Sequence, residues 1–305
     1  MMLGALAVQM RADLDFGNAR LGVAVAVYFL ASSLQSVHAG LWNDHIGSSR
    51  AMLLAGCSTA LCLLGVALSS NYTFLLLALV VGTFAAAVST PATNGLVADN
   101  LAQSRQGFAH GVKQAAVPGA SLIAGLTVPA IALTIGWRWA YGFALLIPAV
   151  SIVAARYSST PGHRTRVSER QQRTDAPPVR LGPLVLMGVG AGLCGGAVTN
   201  LTSFAVVALT DAGMGEAIAG IVVASGSAIV IVVRIAIGHI SDRRLRDRLA
   251  VVGAMQMAAA IGFGLLATGQ IAMMVIGTIV AITWGWGWPG LFTLAVVEYY
   301  PTRQG

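Results

Sequence analysis

Apolar residues run through this chain in long blocks separated by short polar breaks, at residues 21–42, 52–70, 72–96, 109–131, 137–155, 182–209, 217–238, 249–268 and 271–297. A bilayer core about 30 Å thick is crossed by about 20 residues of helix, because each residue rises about 1.5 Å. Backbone groups in hydrocarbon must find their hydrogen bonds within the segment, so blocks of this length predict helices. The two-residue alternation of a membrane β-barrel is not present. The predicted fold class is all-α: a polytopic membrane protein with about nine complete transmembrane helices.

Composition agrees with that pattern. Of 305 residues, 56% are hydrophobic and 10% charged, which leaves too little polar surface to clothe a soluble globule. The formal charge of +7 would raise nucleic acid as a partner of a soluble domain, but the placement of the basic residues excludes it. Thirteen of the 18 Lys and Arg fall on one side of the predicted membrane: Arg50, Arg105, Arg156, Arg164, Arg166, Arg170, Arg173, Arg180, Arg243, Arg244, Arg246, Arg248 and Arg303. The other side has Arg11, Arg20 and Arg138, and Lys113 and Arg234 lie inside spans. By the positive-inside rule the first side is cytoplasmic. Cys57, Cys62 and Cys194 sit in apolar runs at spacings that match neither a zinc site nor a disulfide framework, and read as small core residues.

This topology puts residues 11–20 outside and the C-terminus inside. The apolar stretch from Met1 to Met10 has no basic leader and no cleavage site, is too short to span, and is expected to be the tail of a helix that begins earlier. The one long hydrophilic stretch, 156–181, carries six arginines with Ser, Thr, Gln and Pro. It reads as a cytoplasmic linker between an N-terminal bundle, 1–155, whose first helix is truncated, and a C-terminal bundle, 182–305.

The two bundles read as copies. A shift of 198 residues aligns Gly22 with Gly220, Gly40 with Gly238, Asp44 with Asp242, and Pro91 with Pro289. Asp and Pro are scarce here, and the matched residues fall in equivalent places: both aspartates end a span on the cytoplasmic side, and both prolines are expected to interrupt a helix two spans later. A parallel repeat of this kind suits alternating access, with solute held between the halves.

The stretch Gly40-Leu-Trp-Asn-Asp44-His45-Ile-Gly47-Ser-Ser-Arg50 resembles the loop signature of the major facilitator superfamily, G-x-x-x-D-[RK]-x-G-[RK]-[RK], and Gly238-His-Ile-Ser-Asp242-Arg243-Arg244 resembles its second, degenerate copy. The first copy departs at His45, Ser48 and Ser49; the second has Leu245 in place of the internal Gly. Gly111-Val-Lys113-Gln114-Ala-Ala-Val-Pro118-Gly119, Gly136-Trp137-Arg138-Trp139 and Gly285-Trp-Gly-Trp288-Pro289-Gly290 look like segments of bacterial members. The resemblance covers essentially the whole chain. It implies a bacterial inner-membrane, multi-pass transporter of twelve-span type, lacking here the first, eleventh and twelfth spans. It implies that the motif, Gly40, Asp44, Gly47, Arg50, Gly238, Asp242 and Arg243, governs conformation. In the family each aspartate latches onto a neighbouring helix N-terminus, which carries about half a positive charge. Asp44 would meet the missing eleventh span, and Asp242 the start of the 109–131 helix near Arg105.

Substrate-binding candidates follow from polar groups inside spans. Lys113 and Arg234 are charges that insertion scales penalise by about 2.5–3.5 kcal/mol, so they either bind an anionic group, hold a gate, or reach the lipid interface or loop acids. Gln35 and His38 lie three apart on one helical face; His38 carries either a proton or an interhelical hydrogen bond. Gln114 accompanies Lys113. Asn200 and Trp284 either line a cavity or pack. All eleven acids lie in loops or at span ends, so a proton-coupling carboxylate is not available within the spans. Two G-x-G-x-x-G matches, at Gly190 and Gly285, lie inside spans without a preceding strand and are not dinucleotide sites. Gly188, Gly192 and Gly196 read instead as a small-residue packing stripe. No catalytic motif, metal site or cofactor is implied. The expected function is transport of a small solute by alternating access, with the lipid bilayer as surroundings; the alternative is a membrane sensor or an inactive fragment of the same fold.

Overall fold

The computed structural model describes residues 2–100, 103–157, 181–244 and 247–299. Every regular element among them is helical: α1 (Met2–Ala5), α2 (Ala7–Leu14), α3 (Asn18–Ile46), α4 (Ser48–Ala67), α5 (Tyr72–Asn100), α6 (Gln103–Thr127), a π turn (Val128–Ala132), α7 (Leu133–Ile135), α8 (Trp137–Ala144), α9 (Leu146–Tyr157), α10 (Leu181–Asp211), α11 (Glu216–Arg244), α12 (Arg248–Leu266), α13 (Ile271–Gly287) and α14 (Pro289–Tyr299). Nine segments among the described residues are long and apolar enough to cross a membrane. They follow the predicted blocks, the fourth displaced to Val112–Ile135 because the π turn carries it on past Thr127.

The repeat is visible in the helix bounds. α3 and α11 begin 198 residues apart, at Asn18 and Glu216, and α11 is described to Arg244. Asp44 and Asp242 each lie two residues before the end of their helix. The matched prolines behave differently. Pro91 lies within the continuous α5, whereas the chain breaks at Trp288 and restarts at Pro289. Gly285, Gly287 and Gly290 surround the second proline and lower helix propensity there, while Ala, Val and Thr surround the first. The expectation that both prolines interrupt a helix is therefore corrected at Pro91.

Contacts divide the chain into two compact units. One comprises Gln9–His110 and Ala130–Thr165; the other comprises Met1–Val8, Gly111–Pro129 and Arg166–Gly305. The middle of α6 thus groups with the later helices. The 156–181 linker lies, apart from its ends, outside the described residues.

In the first unit α5 lies against α3 and α4, and α4 also meets α8 and α9. Helices in lipid gain nothing from hiding apolar side chains from water, so close approach and interhelical hydrogen bonds hold them. Ser58 Oγ donates to Val81 O at 2.6 Å, and a Cβ added at Gly65 would stand 2.8 Å from the Cβ of Ala78. In the second unit α13 touches α10, α11 and α12. Gly262 and Gly277 bring the α12 and α13 backbones together, since a Cβ at either would lie 2.6 Å from a backbone atom of the other helix. Gly125 of α6 and Gly220 of α11 do the same, each Cβ falling 2.6 Å from the other residue's carbonyl oxygen.

Those pairs correct the sequence reading of the glycine stripe. Gly188, Gly192 and Gly196 are exposed, with nothing within 4 Å of an added Cβ. Spacing alone marks a smooth helix face without saying what meets it. Cys57 is likewise exposed rather than a core residue, and Cys62 and Cys194 are half-buried; all three are free thiols. Large apolar side chains also face outward, among them Leu30, Leu61, Val150, Leu186 and Ile235, between 61% and 73% exposed. Such a surface is a liability in water and the expected one in lipid.

Candidate functional site

The first motif copy sits at the α3–α4 junction. Gly47 closes α3 and opens α4 as a single residue at φ +82°, and its N–H donates to Asn43 O at 2.9 Å. A side chain there would strain the backbone, which is the physical reason for the motif's internal glycine. Arg50 is exposed in the first turn of α4. Gly40 is exposed in α3 with nothing within 4 Å of an added Cβ, so no helix among the described residues uses it for close approach. Gly238, Asp242 and Arg243 lie in the last turns of α11. The side chains of Asp44, Asp242, Arg243 and Arg105 fall outside the described residues, and so does the expected Asp242 latch.

Candidates in the first unit separate. Gln35 Nε2 donates to Thr83 Oγ1 at 2.6 Å, joining α3 to α5. His38 is exposed and stacks on Trp42, with ring centroids 6.3 Å apart. The interhelical hydrogen bond considered for His38 is thus made by its neighbour on the same face. At the other end of this unit, a cluster missed in the sequence ties three segments together. Arg138 pairs with Asp13 and donates through Nη2 to Ser69 O at 3.0 Å, while Trp137 Nε1 donates to Asp13 Oδ2 at 3.2 Å. The guanidinium carbon stands 4.4 Å from the centre of the Trp137 ring. The scarcity of arginine on that side was the available signal.

In the second unit Arg234 of α11 is the centre of a polar node. Its Nε donates to Trp286 O at 2.8 Å, its Nη2 donates to the same carbonyl, and its Nη1 donates to Gln114 O. These acceptors are main-chain carbonyls, which supply no counter-charge. Lys113 and Gln114 are half-buried next to each other on α6. Trp284 packs beside the buried cluster of Met255, Trp288 and Leu291. Asn200 is exposed and donates to Gly196 O of its own helix at 3.1 Å. Neither residue is bonded to the Arg234 node by a hydrogen bond among the described residues.

Buried polar atoms without a partner among the described residues include Gln256 Nε2, Thr283 Oγ1, Trp286 Nε1 and Trp288 Nε1 in this unit, and Arg11 Nε, Asn43 Oδ1 and Ser48 Oγ in the first. Thr283 differs from Thr202, Thr210 and Thr278, whose hydroxyls donate to a carbonyl one turn back. Thr283 and Trp286 lie three apart, on one face of α13.

Repeated apolar helices with a charged node in the membrane define a multi-pass helical membrane protein of transporter type. The chain matches the Major Facilitator Superfamily over residues 1–305 and belongs to that family of solute transporters. Solved structures show the same fold. A D-xylose–proton symporter aligns with TM-score 0.68 at 13% identity, covering 99% of this chain and 83% of that one. The xylose transporter of E. coli, in a partially occluded inward-open conformation, aligns with TM-score 0.75 at 11% identity, covering 99% and 84%. A bacterial homologue of the human lysosomal transporter Spinster, inward-facing and occupied, aligns with TM-score 0.67 at 15% identity, covering 97% and 70%. A search of curated proteins finds no match by sequence.

Proposed function

We propose that this transporter moves a small anionic solute across a bacterial inner membrane by alternating access between two repeat-related bundles, 1–155 and 182–305, joined by 156–181. The observation that supports the alternating-access reading is the repeat itself: α3 and α11 begin 198 residues apart, with Asp44 and Asp242 at that same offset. Two similar bodies around one solute have two equivalent ways to tilt, one opening to each side.

The anionic class is favoured by the node at Arg234. Three hydrogen bonds hold the guanidinium, but all go to carbonyls, and none of these acceptors neutralises its charge. A charge inside the bilayer is costly, and a bound anion offsets part of that cost. Lys113 adds a second cation near the same turn of α6. Thr283 Oγ1 and Trp286 Nε1, without partners among the described residues, are donors that would suit a solute rich in oxygen acceptors. Gln35 and His38 remain candidates for the other bundle's contribution.

The test is flux into liposomes that contain the purified chain, using radiolabelled phosphate, succinate and lactate as anionic probes and xylose as a neutral one. Saturable anion entry above that of empty liposomes supports the proposal. Entry of xylose alone would remove the anionic class, and entry of none of the four above the empty-vesicle rate would refute transport of these classes by this chain.

A further inference from the structure

Pro118 has no N–H, so the carbonyl four residues before it, that of Gln114, loses the donor a regular helix provides. Trp286 lies in the last turn of α13, where carbonyls run out of intrahelical donors. A carbonyl left unpaired in hydrocarbon is expensive. Arg234 donates to both of these carbonyls and, by its hydrogen bonds, to nothing else among the described residues.

We infer that Arg234 is a positioning residue that clamps α6, at the carbonyl its proline leaves without a donor, to the C-terminal turn of α13. The side chain of α11 supplies a donor to the carbonyl that Pro118 leaves unmatched inside the continuous α6 and to a carbonyl in the last turn of α13. Arginine fits the task because its planar fork presents donors in two directions at once, whereas a lysine ammonium is a single point. The clamp acts on elements already joined by glycine contacts: α11 meets α6 at Gly125 and Gly220, and meets α13 at Gly226, where an added Cβ would stand 3.4 Å from Ile279 Cα. A proline is a point at which a helix bends readily, and the clamp ties the turn of α6 that precedes Pro118 to α11 and to the end of α13. This gives the segment 111–129 a specific attachment to the later helices in place of a merely apolar one. The role leaves the positive charge where it is, and so does not depend on the solute being an anion.

The experiment is a double-mutant cycle on the full chain in detergent without added solute, read as the thermal unfolding midpoint. Pro118→Ala restores an N–H to Gln114 O and makes that arm of the clamp redundant. Arg234→Met keeps the length of the side chain and removes its donors. The midpoint change caused by Arg234→Met should be more destabilising with Pro118 present than in the Pro118→Ala background, by about 3 °C, the scale of one charge-assisted hydrogen bond in a chain of this size. Equal changes in the two backgrounds would overturn the clamp, because an arginine that only packs or reaches the interface has no reason to sense residue 118. If Arg234→Met does not yield folded protein, the same cycle with Arg234→Lys, which keeps the charge and loses the fork, decides the matter by the same comparison.

Discussion

Replacing Gly262 by Ala would put a methyl carbon 2.6 Å from Ala281 N and 2.8 Å from Gly277 O, backbone atoms that cannot swing aside. Gly264, two residues further along α12, has nothing within 4 Å of the same added carbon. Both substitutions gain the same helix propensity, about 0.5–1 kcal/mol for Gly to Ala in a helix interior. Their difference therefore isolates the contact. Forcing an extra carbon into a packed site costs about 1–3 kcal/mol, and a backbone obstacle puts Gly262→Ala at the upper end. With about 2–4 °C per kcal/mol in chains somewhat smaller than this one, Gly262→Ala should melt roughly 5 °C or more below Gly264→Ala. Both variants are purified in the same detergent and followed by tryptophan fluorescence on heating. Equal melting of the two, or a higher midpoint for Gly262→Ala, would refute glycine-mediated contact between α12 and α13.

Gln35→Leu removes the bond to Thr83 Oγ1; membrane hydrogen bonds average about 0.6 kcal/mol and reach about 1.7, and the loss on adding Thr83→Val, which also removes the bond to Val80 O, should be smaller in the Gln35→Leu background than in the wild type. Fully additive losses in thermal unfolding would refute the coupling of Gln35 to Thr83. Gly47→Ala places a Cβ at φ +82° and should lower stability by about 1–2 kcal/mol without any new clash, since nothing lies within 4 Å; an unchanged midpoint would show that the α3–α4 junction relaxes freely.

The helices were legible because a bilayer imposes one length scale on every crossing, and the repeat was legible because scarce residues such as Asp44 and Asp242 recur at one offset. What failed was the identity of the contacts. Gly188, Gly192 and Gly196 have the spacing of a packing stripe yet face outward, while Gly125 with Gly220, and Gly262 with Gly277, make the close approaches. Spacing tells which residues share a face; only the path of the neighbouring helix tells which face is met. Pro91 and Pro289 match in sequence, yet one helix runs through its proline and the other breaks, because the glycines around Pro289 make yielding cheap. Arg234 was recognised as an anomalous charge, but its carbonyl partners depend on how α6 and α13 cross α11. A local clue existed in the four-residue spacing of Gln114 and Pro118, which marks an unpaired carbonyl in any helix. Gln35 stood out only as a polar group within a span; its bond to Thr83 depends on how α3 packs against α5.

Alternating access is tested most directly by the distance between repeat-equivalent positions at the starts of α4 and α12. With Cys57, Cys62 and Cys194 replaced by Ser, spin labels are attached at Met52→Cys and Ala250→Cys, and the distance distribution is measured by electron double resonance in lipid nanodiscs. The account predicts two populations whose weights change when a transported anion is added. One narrow distribution, unmoved by phosphate, succinate, lactate or xylose, would contradict it.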